Sequence, residues 1–293
     1  MERLRDGWRD NSHTLSRRCW NQNMRELTLH VSTLRRRVMK KRLFLTLAAA
    51  AGLAVVVFAF AAASGNQTPT QWNLKNSAVI DLSYSEDQTL PCDPSLKKAT
   101  LDWFARVGQG EGAYWNLETI SYCPHTGTHM DAPFHVNSSW GAVESLDPTV
   151  LIGPAVVLNV RIPQEGYSIT AADIKSAEAR TSPIQPGDGV LIHTGHSSFW
   201  PNKDTYIDKG YPTLAMDAAQ YIVSKKARFV GMEAISPDGP NTDTHKVLLG
   251  AGVIVVENLT NIEQIGQARC TTIGTFANVK GASGAWVRLL AVK

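Results

Sequence analysis

Three of the eight histidines crowd into eleven residues, His125-Thr-Gly-Thr-His129-Met-Asp131-Ala-Pro-Phe-His135. His125, His129, Asp131 and His135 share one parity, so along an extended strand they project from one face. Gly127 belongs to that face and, lacking a side chain, leaves space there for an ion. A straight strand rises about 3.3 Å per residue, which separates residues 125 and 131 by roughly 20 Å. Ligand bonds of about 2.0–2.2 Å cannot close that gap around one metal. The segment must bend, and Gly127 and Pro133 are where it can. Two imidazoles and a carboxylate suit a divalent transition ion, Zn or Mn before Mg or Ca. They also leave positions open for water, as a catalytic site requires. Water beside such an ion ionises near neutral pH and attacks a carbonyl. His135, past Pro133, is then the candidate proton shuttle, because an imidazole with a pKa of about 6.5 can both take and return a proton. The alternative is a set of unconnected core histidines; one parity around a glycine and a proline favours the metal.

Other chemistry is thinly represented. Gly108-Gln-Gly-Glu-Gly112 neither follows a strand nor fits a dinucleotide fingerprint, and reads as a loop bordering the pocket. Walker A, H-E-x-x-H, G-x-S-x-G and the zinc-deaminase pairing are absent from the sequence. Cys123, two residues before His125, is either a third kind of ligand, a small buried residue or half of a disulfide. Cys92, Cys123 and Cys270 permit one disulfide and one free thiol, with no spacing that chooses the pair. Tyr114, Trp115, Trp140, Phe199 and Trp200 flank the motif regions and are candidates for stacking on an aryl substrate.

The elements that must carry these residues alternate. Val79–Ser83, Ala155–Val160, Gly189–His193, Phe229–Met232, Gly252–Glu257 and Ala285–Val292 read as strands. Leu96–Val107, Ala171–Ala179, Leu214–Lys225 and Thr244–Leu249 read as helices, with Thr170 and Thr213 as N-caps of the second and third. Hydrophobic strands interleaved with helices predict one α/β domain of about 220 residues.

The 293 residues are 43% hydrophobic and 19% charged, ordinary values for a globular protein. The net charge of +3 conceals an asymmetry. Residues 1–65 hold 12 Lys and Arg against 4 Asp and Glu, and the remainder holds 17 against 22. The mildly acidic remainder is no electropositive nucleic-acid surface. Within the basic part, Leu43–Ala63 is apolar except for Thr46 and Gly52, long enough to span a bilayer. Met39-Lys-Lys-Arg42 before it and Ala61-Ala-Ala63 at its end have the form of a secretory signal. Residues 39–65 are thus a cleaved signal or a membrane anchor. Residues 1–38 are a mis-called start or a cytoplasmic tail, 66–77 a linker, and 78–293 the domain. Either reading exports the domain, to the periplasm or beyond, and the membrane is a partner only if 43–63 is retained.

The segment at 125–135 resembles the signature of the cyclase-like metal-dependent hydrolases, a family that includes bacterial kynurenine formamidase and isatin hydrolase. Val79–Ser83, Leu151–Ala155, Asp188–Gly195, Gly231–Asp238 and Val255–Leu259 resemble further blocks of that family in order, covering roughly residues 78–292. The resemblance implies a swivelling β/β/α fold, a homo-oligomer, and hydrolysis of an amide in a small molecule through one or two divalent ions. It implies His125, His129, Asp131, His245 and Glu257 as metal ligands and His135 as general acid/base. Apart from the resemblance, Glu257 at the end of an apolar strand reads equally as a carboxylate that a cation would partner or as a solvent-facing strand end, and His245 as a site residue or a helix-surface one. Leu90-Pro-Cys-Asp-Pro94 lacks the aromatic residue that formamidases of the family tend to carry after the opening strand, which argues against kynurenine-type recognition. His196 and Glu233 depart from the family pattern, as a pocket or loop histidine and as a support or strand-end charge. An arylformamide or cyclic amide is the expected substrate; a lactone or other cyclic ester, or a non-catalytic metal-binding role, are the alternatives.

Overall fold

The computed structural model describes residues 77–293, apart from 111–113, 161, 163, 201 and 240–242. The leader, anchor and linker expected over residues 1–76 lie outside them. Among the described residues no helix is long and apolar enough to cross a membrane.

The described residues form twelve strands: β1 (Val79–Asp81), β2 (Thr100–Ala105), β3 (Leu117–Ser121), β4 (His129–Asp131), β5 (Gly153–Asn159), β6 (Ser168–Ile169), β7 (Gly189–His193), β8 (Thr213–Leu214), β9 (Phe229–Met232), β10 (Ile254–Glu257), β11 (Arg269–Phe276) and β12 (Gly284–Val292). Helices α1 (Ala171–Arg180), α2 (Met216–Ser224) and α3 (Thr244–Gly250) connect the middle strands. The main sheet runs β1-β12-β11-β5-β7-β9-β10-β4, and β12 also pairs with β4. From β12 through β10 to β4 the sheet therefore returns on itself, in a barrel-like α/β arrangement.

β5, β7, β9 and β10 are mutually parallel. That arrangement requires crossovers, which the three helices supply. The parallel strands are continuous apolar runs, and all four residues of both β9 and β10 are buried, as expected for strands covered on both faces. Their carboxyl ends deliver Asn159, His193, Glu233 and Glu257 to one rim of the sheet.

Local signals explain the element ends. The Thr170 hydroxyl accepts from the Asp173 N–H while the Asp173 carboxylate accepts from the Thr170 N–H, a reciprocal cap on α1. Thr213, expected as a cap, is instead part of β8: its N–H donates to Tyr167 O and that of Leu214 to Pro237 O. α2 consequently begins at Met216, with Ala215 as N-cap and no side-chain cap. The helix expected over Leu96–Val107 is also corrected. Thr100–Ala105 is a strand paired antiparallel with β3, because Thr, Trp and Phe favour extended backbone. Gly108 and Gly110, both at positive φ, mark the turn that follows it.

Candidate metal centre

β4 is three residues long and lies between β10 and β12, where all three of its residues are buried. His129 is in register with Glu257 of β10 and Asp131 with Gly284 of β12. Cross-strand partners project from the same face of a sheet, so His129, Asp131 and Glu257 meet. His125 reaches them because the chain turns at Gly127, whose φ is +59°. A Cβ on Gly284 would come within 2.7 Å of the His125 ring, so glycine is required there.

The space beside Gly127, expected to hold an ion, holds the Glu86 side chain instead. Glu86 Oε1 accepts from the Thr128 N–H at 3.0 Å. Its Oε2 is buried without a hydrogen bond. Burial pushes this carboxyl up to about 7.

Asp131 is the hub. Its Oδ1 is 2.7 Å from His125 Nδ1 and 3.5 Å from His129 Nε2, and its Oδ2 is 3.1 Å from His245 Nε2. Glu257 lies 3.3 Å from His129 Nε2 and 3.0 Å from His245 Nε2. His135 is on a 3-10 turn over Pro133–His135, its ring centroid 4.0 Å from that of His125 and 5.4 Å from that of His245. The six residues expected from the sequence are thus brought together. Ligating atoms of His125, His129 and Asp131 lie within 4.8 Å of one another, as do those of Asp131, His135 and His245. The two triples share Asp131.

Two imidazoles have their tautomers set from behind. His129 Nδ1 donates to Gly127 O at 2.9 Å, and His245 Nδ1 donates to Asp238 Oδ2 at 2.8 Å. Each Nε2 is left facing carboxylate oxygens, which are acceptors only. His129 Nε2 is buried and has no hydrogen-bond partner among the described residues. A lone pair aimed at two carboxylates requires a cation between them. With protons alone, the demand is met by imidazolium: burial opposes charge on His129, but Asp131 and Glu257 outweigh it and hold the ring well above the usual value. His245 is likewise pushed up to about 12, with Asp131, Asp238 and Glu257 overcoming burial. Asp131, despite burial, is held well below the usual carboxylate range by its three histidines. A divalent ion meets the same demand with neutral imidazoles. A tetrahedral ion with bonds of about 2.1 Å separates its ligands by about 3.4 Å, close to the spacings from His129 Nε2 to its two carboxylates. The residues fit such an ion.

Sequence reasoning missed the groups behind the cluster. Asp238 Oδ1 accepts from the N–H groups of Thr244 and His245 at 2.6 and 3.0 Å, holding the start of α3 while Oδ2 takes the ring. Ser283 Oγ lies 2.8 Å from His125 Nε2. Asp238 closes the block Gly231–Asp238; its signal was an aspartate upstream of a helix whose second residue is His245.

The remaining candidates go elsewhere. His196 is buried and bonded to Tyr206 O at 2.8 Å, a core residue and neither a pocket nor a loop histidine. Cys92, Cys123 and Cys270 are free thiols, so no disulfide joins them. Trp200 stacks on Tyr84 and Trp140 packs against Gly250 of α3. Tyr114 and Trp115 are exposed beside the β2–β3 hairpin.

The sheet closes on itself and carries a histidine–carboxylate centre on its short strand β4. The chain matches the Cyclase family model ("Putative cyclase") over residues 43–239 and belongs to that family. It is similar to kynurenine formamidase of Geobacillus thermodenitrificans, 28% identical over 61% of this chain and 81% of the relative. Kynurenine formamidase of Salinibacter ruber is 28% identical over 72% and 95%. Among solved structures, isatin hydrolase A from Ralstonia solanacearum shares the fold at a TM-score of 0.67 and 21% identity, covering 74% of this chain and 92% of that one.

Proposed function

We propose that this chain is a metal-dependent hydrolase of a C–N amide bond, acting on an arylformamide or a cyclic amide. The single observation that carries the metal is His129 Nε2, buried, tautomerically fixed and unpartnered between Asp131 and Glu257. The similarity to kynurenine formamidases and isatin hydrolases supports the choice of bond.

His125, His129, Asp131, His245 and Glu257 would hold Zn or Mn, as one ion or two, with Asp131 central to the set. A divalent cation there supplies Lewis acidity, polarising a carbonyl and acidifying water. Asp131 and Glu257 neutralise its charge, and Asp238 and Ser283 fix the ring orientations. His135 is the most exposed histidine of the cluster. Desolvation of its ring, with His125 and His245 nearby, holds it below the usual imidazole value despite Asp131 and Glu257. At neutral pH it is a base, and it takes the proton of the attacking water and returns it to the leaving nitrogen. In the same reading, residues 78–293 form a single catalytic domain of the swivelling β/β/α type, exported through the segment before it.

The β2–β3 hairpin exposes Leu101, Trp103, Phe104, Leu117 and Ile120. Apolar surface on an isolated hairpin is covered in stable proteins, and homo-oligomerisation through it completes the proposal.

The test is metal content of the purified full chain with turnover of N-formylkynurenine and isatin before and after chelation. Stoichiometric Zn or Mn with turnover lost on chelation and restored on reloading is the expected result. Turnover of a lactone and neither amide moves the bond to C–O; metal with no turnover of any of them reduces the site to binding. In His135→Ala, retained metal with turnover down by about 10²–10⁴-fold supports the shuttle, whereas lost metal makes His135 a ligand.

A further inference from the structure

Away from the histidine cluster, a cavity of about 470 Å³ opens at the carboxyl ends of β5 and β7, lined among others by Asn159, Arg180, His193, Ile262, Glu263 and Gln267. The volume is that of a small-molecule site, and the carboxyl rim of parallel strands is where α/β sheets bind ligands. Arg180 is aimed by two bonds, from Nη1 to Ser176 Oγ and from Nη2 to Asn159 O at 3.0 Å. His193 is aimed by Glu233, whose Oε1 lies 3.1 Å from His193 Nδ1, while His193 Nε2 has no hydrogen bond among the described residues.

Ligating atoms of His193, Glu233 and Glu263 fall within 4.8 Å of one another, yet a metal is not what they are built for. Glu233 is already saturated. Its Oε1 also accepts from the Ser197 hydroxyl at 2.8 Å, and its Oε2 from the N–H groups of Thr194 and Gly195, each at 2.7 Å, and from the Thr194 hydroxyl at 3.0 Å. Five donors exceed the roughly four lone-pair positions of a carboxylate. What the cavity presents instead is Arg180 as donor, the Nε2 lone pair of His193 as acceptor while its Nδ1–H serves Glu233, Glu263 as an anion, and apolar wall from Val157, Ile262 and Ala268.

We propose that this cavity is a second ligand site, separate from the metal centre, for a small zwitterion of the α-amino-acid class. Arg180 takes the carboxylate, Glu263 and the Nε2 lone pair of His193 take the ammonium, and the apolar wall takes the side chain. The site stands independently of the hydrolase reading.

L-phenylalanine, 3-phenylpropionate and phenethylamine separate the charges of one skeleton, and each is titrated calorimetrically into the full chain. Saturable one-to-one binding of L-phenylalanine is expected, about tenfold or more tighter than either half, the weight of one charge-assisted hydrogen bond. Arg180→Met and Glu263→Gln each erase that preference by a similar factor and leave metal content unchanged. Three results overturn the proposal: no saturable binding of L-phenylalanine, 3-phenylpropionate binding as tightly as L-phenylalanine, or binding lost in Asp131→Asn but kept in both cavity variants. The last would place the ligand at the metal centre.

Discussion

Two groups of histidines and carboxylates stand near the carboxyl rim of the same sheet, and they solve opposite problems. Around Asp131 three imidazoles converge on two carboxylates, and one ring nitrogen has no hydrogen-bond partner among the described residues. Around Glu233 a single carboxylate is enclosed by five donors, two of them backbone N–H groups. Residue types and spacing alone would rank both as metal sites. The difference lies in the balance of lone pairs and protons. Where acceptors exceed donors a cation is required; where donors fill every acceptor, the carboxylate is an anchor that aims its neighbour. A path of polar contacts joins the two regions. The Tyr206 hydroxyl lies 2.8 Å from Glu233 O and 2.9 Å from Asn258 Oδ1, and Asn258 Nδ2 donates to Gly127 O, the carbonyl that also fixes His129.

Removing the charge from each hub should separate the two regions most widely. Asp131→Asn deletes a ligand shared by both triples, so metal affinity should fall by more than the ~10–100-fold expected for an outer partner, and turnover with it. Glu233→Gln should leave metal stoichiometry intact. It forfeits charge-assisted bonds to buried donors instead, costing about 1–3 kcal/mol of stability. Elemental analysis and thermal melts of the two variants read this directly. Equal metal loss in both would erase the distinction.

Asp238→Asn gives a smaller effect at the metal centre. The amide can still accept from the N–H groups of Thr244 and His245, but its hold on His245 Nδ1 is weakened. A drop of about 10–100-fold in metal affinity, with the melting temperature little changed, is expected by competition with a chelating dye. Unchanged affinity would reduce Asp238 to a helix cap.

Much of the first region was legible because it is local. One strand parity, a glycine and a proline announce that His125, His129 and Asp131 are a unit that must bend. The parallel strands at Gly189–His193 and Phe229–Met232 coincide with the sequence reading to the residue, since continuous apolar β-branched runs leave little alternative. The failures are where tertiary pairing outweighed local preference. Leu96–Val107 has helical spacing of apolar residues, but its partner strand at Leu117–Ser121 decides the matter. Thr213 reads as a cap until β6 claims it. His245 and Glu257 were reached by resemblance, because only the register of β10 on β4 brings a residue 128 positions distant across from His129. Glu233 read as one of two bland options, and its five donors come from a turn whose geometry no spacing encodes.

The smallest expected effect sharpens the comparison through pH. Burial alone would raise Glu233, but its bond and charge pairing with His193, and its bonds to Thr194 and Ser197, hold it below the usual 4.5. His193 is raised above 6.5, first by the bond to Glu233 and against its own desolvation. The stability from Glu233 is present above its unfolded value and disappears as pH falls through the lowered folded one. That from His193 is complete below 6.5 and disappears as pH rises through the raised folded value. Their common window is therefore about pH 4.5–6.5. His193→Gln should be less stable than the parent there by about 1 kcal/mol, a modest figure because one ring edge meets solvent. That corresponds to about 2–4 °C in melting temperature. The gap should narrow on the alkaline side, where the parent ring is neutral as well. A gap constant from pH 5.5 to 9 would mean that His193 contributes packing and no charge, leaving Glu233 to organise the turn alone.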